Sequence, residues 1–352
     1  MATAVLLVTQ TGQDFVNVPA SQNVWLAGMA EGFSELGLSV HIPWELRDTD
    51  SSPEEELSRV SRRFSELYGV AGPEIEFFDS RELHGPSLPR RFDVLWARDS
   101  DLLLKSGTPS QVKIAEFHGG ARETLVPERA REVGAPLVTV TNSWSQRFGA
   151  HCVSEPGALR VFFREDDTQR HVAEKAHGVY AGGLDPDRID GIGVRTLREL
   201  LRYSPLLHVI GGNLSVEVDI LRWRLGRKRH RAKFYGYLPP AITARLLHSA
   251  DFAVALKAED SAPSAPIKLI SFAAAKLPLL VSPAFSKPDY SGSTARTLKV
   301  HNFNAGVSPQ ARDTLRRALA STSTDVPHNY QIASDNTYAK RIEKTGLLQL
   351  FT

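Results

Sequence analysis

Residues 4–9 form a continuous apolar run, and a polar loop containing a glycine occupies 10–17. A short unbroken run of this kind, without a 3.6-residue period, predicts a buried strand. Residues 24–36 instead space their apolar positions as a helix does and stop at Gly37, a good helix-closing residue. The next apolar run, 39–44, completes a β-loop-α-β opening, the start of a parallel sheet. Residues 48–65 are charged and helical in period. The segments 93–97, 113–117 and 136–141 read as further buried strands, the first two ending in polar loops. The pattern then restarts. Strands are predicted at 178–180, 206–210, 233–235, 251–256 and 277–281, with helices at 189–203, 241–249 and 267–275 among them. A last helix, 338–348, has no strand after it and is expected to pack back on the first half.

Two β/α series in 352 residues predict two domains, 1–165 and 176–333, followed by a terminal helical segment, 334–352. The boundary is placed in the polar stretch 164–175. Two such units imply a cleft between them, and open parallel sheets bind ligands beyond the carboxyl ends of their strands. The polar loops fall at such ends. A hydrophobic fraction of 42% and a charged fraction of 23% are those of an ordinary globular chain. One cysteine, Cys152, excludes an intramolecular disulfide and a cysteine-rich zinc site. It has no evident partner base and reads as a structural thiol, at home in a reducing compartment. The amino-terminal run is too short for a secretory leader, and no apolar run approaches the ~20 residues that cross a bilayer. The expected location is the cytoplasm, with peripheral contact at the inner membrane face as an added option.

Charge sharpens this picture. The net charge is +2 overall, yet residues 1–165 carry −7 and the remainder +9. Anionic ligand groups are therefore expected in the second half. Within it, the amphipathic helix at 267–275 follows a short polar loop, runs straight into a strand, and carries Lys268 in its first turn. A helix N-terminus has partial positive charge and free N–H groups, so a lysine there makes a seat for a phosphate or diphosphate. Residues 222–233 are the densest charge feature: seven Lys or Arg, His230 and no acid. They read either as a contact for nucleic acid or anionic lipid, with Trp223 as anchor, or as a solvated helix and loop with Trp223 packed inward.

Several segments of the second half recur in a known order. They are Val179-Tyr180-Ala181-Gly182-Gly183, His208-Val209-Ile210-Gly211-Gly212 and Lys233-Phe234-Tyr235-Gly236-Tyr237, then the Ala-Asp strand at 249–256 and the Pro-Ile-Lys-Leu helix–strand at 266–278. Together, over 178–283, they resemble the donor domain of GT-B glycosyltransferases of the retaining family 4 type. The first half is similar more loosely, through its β-loop-α-β opening. Two relatives come nearest. The glucuronosyltransferase of xanthan assembly is similar in its helix to 267–270, and the phage DNA β-glucosyltransferase is similar over 18–42 and 179–213. The resemblance implies an α/β GT-B fold, two Rossmann-like β/α/β domains facing across a cleft, with a nucleotide-sugar bound by the second.

Transfer from such a donor leaves a diphosphate, which needs positive charge and N–H donors aimed at it. The resemblance assigns Gly182 and Gly183 to backbone approach, Lys268 to the charge, and Gly212 to the neighbouring strand end. Tyr237 is a candidate to stack on the base. Ser271 stands where the family carries a ribose-binding Glu, and Lys276 where it carries Gly. The Arg and Lys that many relatives place after the first glycine loop are absent, and Arg188 is the nearest candidate. In the first domain Gly12 and Asp14 are candidates to line the sugar pocket. His118 lies where relatives hold a donor-sugar hydroxyl. Inverting relatives place a general-base Asp at the position of Gly120, so Glu116, Asp99, Glu123 and Asp14 become candidates for that base. Each residue also has a plain reading as a turn glycine, a packed ring or a surface charge.

The resulting expectation is a glycosyltransferase moving a sugar from a nucleotide-sugar, most simply a UDP-sugar, to a glycan or lipid-linked acceptor. No cofactor beyond the donor and no metal are expected, since the Asp-x-Asp spacing of Asp99 and Asp101 falls in the first half. Hydroxymethylated phage DNA ranks second as acceptor, because an acidic first half repels phosphodiesters. A nucleotide-sugar 2-epimerase uses the same architecture. A non-catalytic GT-B-like binding protein is the remaining alternative, favoured by Ser271 and the missing Arg/Lys pair.

Overall fold

The computed structural model describes residues 3–9, 21–47, 50–83, 92–99, 110–118, 125–155, 157–165, 176–182, 192–211, 216–256, 267–282, 297–303 and 308–350. The chain divides into two units, Met1–Arg160 with Asn336–Thr352, and Val161–Asp335.

In the first unit the elements in chain order are β1 (Ala4–Thr9), α1 (Ser21–Glu35), β2 (Ser39–Trp44), α2 (Pro53–Tyr68), β3 (Ile75–Asp79), β4 (Phe92–Arg98), β5 (Ser110–Phe117), α3 (Leu125–Glu132), β6 (Leu137–Thr139), α4 (Asn142–Phe148) and β7 (Cys152–Val153). All strand pairs are parallel, in the order β3-β2-β1-β4-β5-β6-β7. A strand covered on both faces reads as a continuous apolar run, which is why β1 was legible. Val5, Leu6 and Leu7 are fully buried, as are Val94, Leu95 and Trp96 of β4 beside them. Helix α2 starts at Pro53, five residues later than expected. Ser52 caps it, accepting from the Glu55 N–H while the Glu55 carboxylate accepts from the Ser52 N–H. That reciprocal pair fixes the start more strongly than charge periodicity does.

The second unit repeats the plan: β8 (His177–Ala181), α5 (Ile192–Tyr203), β9 (Leu206–Ile210), α6 (Val216–Leu225), β10 (Ala232–Gly236), α7 (Pro240–Ser249), β11 (Phe252–Ala255), α8 (Ile267–Ala274), β12 (Leu279–Val281), β13 (His301–Asn302), α9 (Ser308–Ala320) and α10 (Asp325–Ser334). Its parallel order is β10-β9-β8-β11-β12-β13. The strand order reverses between β1 and β4 in one sheet and between β8 and β11 in the other. Those two points are where an open α/β sheet leaves a crevice at its carboxyl edge. The chain passes into this unit ahead of the polar stretch 164–175. Phe162 is already buried, and the Arg164 N–H donates to the Ala274 carbonyl at 3.1 Å.

The last helix, α11 (Tyr338–Lys344), belongs to the first unit and packs along α1. Gly28 and Gly32, four residues apart, make that approach feasible. A Cβ on Gly28 would lie 2.1 Å from the Tyr338 ring, and one on Gly32 2.7 Å from the Tyr338 backbone.

Glu31, on α1, is nearly buried and accepts the Arg160 N–H on both carboxylate oxygens, at 3.2 and 3.0 Å. Burial pushes its pKa up to about 8, helped by the nearby Glu35 charge and opposed by that backbone bond. The folded chain thus holds a proton that the unfolded chain releases above 4.5. Stability therefore falls as pH rises from that value toward 8. Glu31→Gln keeps the acceptor and removes the buried charge. It is expected to be near neutral at pH 5 and to stabilise by ~2 kcal/mol or more at pH 9. Thermal melts at the two pH values check this, and an equal effect at both would contradict a neutral buried carboxyl.

Candidate functional site

At the carboxyl edge of the second sheet the backbone just past β8 and β9 is tied to the ends of β9 and β10. Past the ladder, the Gly182 N–H donates to the Ile210 carbonyl at 3.0 Å and the Gly211 N–H to the Gly236 carbonyl at 2.6 Å. Gly211 has φ +114, and a Cβ there would sit 1.9 Å from the Gly182 carbonyl oxygen. Only glycine fits such a backbone-on-backbone approach. Lys268, in the first turn of α8, brings its ammonium to the same spot. A Cβ on Gly182 would lie 2.7 Å from Lys268 Nζ. That ammonium stands 5.9 Å from the centroid of the Tyr180 ring, a fully buried side chain. A cation seated over an aromatic face is held electrostatically as well as by packing. Gly182 and Lys268, named separately from sequence, thus meet where the strand order reverses. The arrangement sets a positive charge beside a backbone that carries no side chain, which leaves room for a phosphate to approach the ammonium.

Among the other donor-side candidates, Tyr237 follows the last residue of β10 and is 52% exposed, so its ring is open to a flat partner. Its neighbour Tyr235 is committed elsewhere, with its hydroxyl 2.8 Å from His208 Nδ1 and its ring stacked on that imidazole. Ser271 is buried on α8, and its carbonyl accepts from the Ala275 N–H. Lys276 adopts φ +55, the backbone for which a glycine is best suited at a helix end. Gly183, Arg188 and Gly212 lie outside the described residues, as do Gly12, Asp14, Asp101, Gly120 and Glu123. The sequence selected Gly212; the glycine that the backbone demands among the described residues is its neighbour Gly211.

In the first unit the ends of β4 and β5 carry a buried ionic cluster. Glu116 has no exposed surface. Its Oε1 accepts from Trp25 Nε1 at 2.8 Å, lies 2.5 Å from His118 Nε2, and takes an Arg341 guanidinium N–H; its Oε2 accepts from Trp96 Nε1 at 2.7 Å. Burial alone would raise this carboxyl. The Arg341 charge, then the His118 contact, outweigh burial and hold it well below the usual carboxylate range. Glu116 was a candidate base, and the geometry corrects that reading. A carboxylate with no exposed surface, held by Trp25, Trp96, His118 and Arg341, does not reach an acceptor hydroxyl. Asp99 is similarly engaged. It sits at φ +47, accepts the His118 N–H at 3.0 Å and pairs with Arg98 Nε at 3.3 Å.

His118 is the group this cluster presents. Burial, then the Arg98 charge, lowers its pKa, so the ring is neutral at pH 7. Ionised Glu116 only accepts, which places the single ring proton on Nε2 and makes Nδ1 the acceptor atom. Four participants escaped sequence reasoning: Trp25, Trp96, Arg98 and Arg341. The legible signal was Arg341 itself, which stands on the apolar face of α11 with Tyr338 and Ile342. A basic residue in such a stripe requires a buried acid. Cys152 is half-buried on β7, and burial raises its thiol to about 11, as befits an inert thiol.

No protein-family model and no curated protein matches the sequence. Solved structures do match in fold. AviGT4, a glycosyltransferase involved in avilamycin A biosynthesis, aligns at 14% identity over 99% of this chain and 98% of its own, with a TM-score of 0.61. Anabaena HepE in complex with UDP and glucose aligns at 12% identity over 97% and 99%, with a TM-score of 0.62. Sucrose-phosphate synthase from Thermosynechococcus elongatus aligns at 13% identity over 99% and 98%, also at 0.62. With both sheets in Rossmann order and these likenesses along the whole chain, the protein has the GT-B glycosyltransferase fold.

Proposed function

We propose that the chain is a glycosyltransferase that moves a sugar from a nucleotide-sugar, with uridine as the base, to a glycan or lipid-linked acceptor. One observation carries this reading: the Lys268 ammonium against the Gly182 backbone at the reversal of strand order. In the transfer, the bond from the anomeric carbon to the diphosphate oxygen breaks and the oxygen keeps the electron pair. The acceptor oxygen bonds to that carbon, and its proton passes to the departing diphosphate or to water. Negative charge thus grows on the diphosphate, and a preset cation is worth most at that moment. HepE, with UDP in its crystals, is consistent with the uridine assignment.

In this reading Lys268, with Gly182 and Gly183, seats the diphosphate, and Arg188 adds charge. Gly211 and Gly212 keep the strand end open. Tyr237 stacks on the base, and Ser271 lies toward the ribose. In the first unit His118 accepts a donor-sugar hydroxyl on Nδ1, while Gly12 and Asp14 line the sugar pocket. Glu116 fixes the tautomer and the angle of His118 without touching substrate.

Lys268→Ala tests the reading. Turnover of UDP-sugars, scored first by slow hydrolysis, is expected to fall about 100-fold. UDP affinity by calorimetry is expected to fall about tenfold. The melting temperature should change little, since the side chain is only half-buried. Unchanged turnover and affinity in the folded variant would overturn the assignment.

A further inference from the structure

Helix α6 has two apolar faces. At about 100° per residue, Val218, Leu221 and Leu225 group on one side, and Val216, Ile220 and Trp223 group within about 60° on the opposite side. The first group is buried in the core of the second unit. The second faces water: Val216 is 69% exposed, Ile220 38% and Trp223 77%. The alternative of an inward Trp223 is thereby excluded. A helix needs one apolar stripe to fold onto a core, so a second stripe in solvent costs stability and calls for a partner.

The chemistry beside the stripe names the partner. The 3-10 turn Gly226–Arg231 continues directly from α6 and holds Arg227, Lys228, Arg229, His230 and Arg231. Two of these cations serve the fold, Lys228 Nζ donating to the Arg198 carbonyl at 3.2 Å and Arg231 to the Leu201 carbonyl at 3.2 Å. Arg222 pairs with Asp219 at 3.3 Å and covers the Phe234 ring. Arg227 and Arg229 are exposed. We propose that Val216, Ile220 and Trp223, with Arg227 and Arg229 beside them, dock this unit on an anionic lipid bilayer. Indole rings settle at the headgroup level, aliphatic side chains enter the acyl boundary, and arginines meet the phosphates. A nucleic acid would satisfy the arginines, yet it offers nothing to Val216 and Ile220.

The test is co-sedimentation of the full chain with vesicles of phosphatidylcholine alone and of an equal mixture with phosphatidylglycerol. Binding is expected to the mixed vesicles, to weaken with salt, and to be near background on phosphatidylcholine. Tryptophan emission should shift to the blue on binding. Trp223→Ser, and separately Arg227→Glu with Arg229→Glu, should each weaken binding about tenfold or more, with the melting temperature unchanged. No binding by the wild type overturns the proposal, as does binding that both variants retain. Tighter binding to duplex DNA, lost in Trp223→Ser, would also overturn it and assign the surface to nucleic acid.

Discussion

Arg341→Ala is expected to destabilise the chain by about 3–5 kcal/mol, the cost of leaving a buried charge without its partner. Arg341 is itself buried, and its guanidinium is the one full positive charge bonded to Glu116 among the described residues. Removing it leaves two indole N–H groups and His118 to hold a carboxylate with no exposed surface. At about 2–4 °C per kcal/mol for a unit of this size, the melting temperature should drop by roughly 10 °C. The pH dependence separates this account from simple loss of packing. In the wild type, the folded pKa of Glu116 lies below its unfolded value of 4.5. Its contribution to stability is therefore present above that value and disappears as pH falls through the folded pKa. In the variant, burial dominates and raises the carboxyl, so the folded state takes up a proton before the unfolded state does. The deficit should be largest near pH 8 and shrink toward pH 5. A deficit constant across that range would mean that Arg341 acts by volume alone. Under the proposed function, turnover should fall as well, because His118 loses the buried cation that shares Glu116 with it.

The sequence made the strands legible where they lie deepest. β1 and β11 are near-continuous apolar runs because helices cover both faces of a parallel sheet. β3 escaped because an acidic residue, Glu76, interrupts it at the sheet edge, where one strand side is unpaired. The seven-residue α4 and the two-residue β7 and β13 are too short to show any period. α9 and α10 were also missed, their apolar positions being few among charged and small residues. The site divides in the same way. Lys268 and Gly182 were each readable from local patterns, a helix start and a strand end. That their atoms meet depends on β8 and β11 being neighbours, which only the strand order states. Glu116 stands among the four candidate bases because its local setting, a carboxylate two residues before a His at a strand end, suits one. What holds it comes from 20, 91 and 225 residues away. Local sequence carries no trace of contacts that distant.

Gly211→Ala is expected to cost more than about 4 kcal/mol, or to prevent the second unit from folding. The added methyl would lie 1.9 Å from the Gly182 carbonyl oxygen and 2.8 Å from its carbon. Both are backbone atoms at a strand end, so no side-chain rotation relieves the clash. Moving Gly182 aside lengthens its 3.0 Å bond to the Ile210 carbonyl and disturbs the 2.6 Å bond from Gly211 to Gly236. The φ of +114 at Gly211 adds strain for any L side chain. Gly226→Ala is the matched control. That residue also has positive φ, +59, but a Cβ there meets nothing within 4 Å. It should lose only the left-handed cost of roughly 1–2 kcal/mol. Thermal melts of the two variants measure the difference, and UDP titration extends it. Gly182 is the wall against which Lys268 rests, so under the proposed function a Gly211→Ala chain recovered in folded form should still have lost affinity for UDP. A variant that melts within about 1 kcal/mol of the control and keeps its UDP affinity would mean that the strand ends stand farther apart, and the diphosphate seat with them.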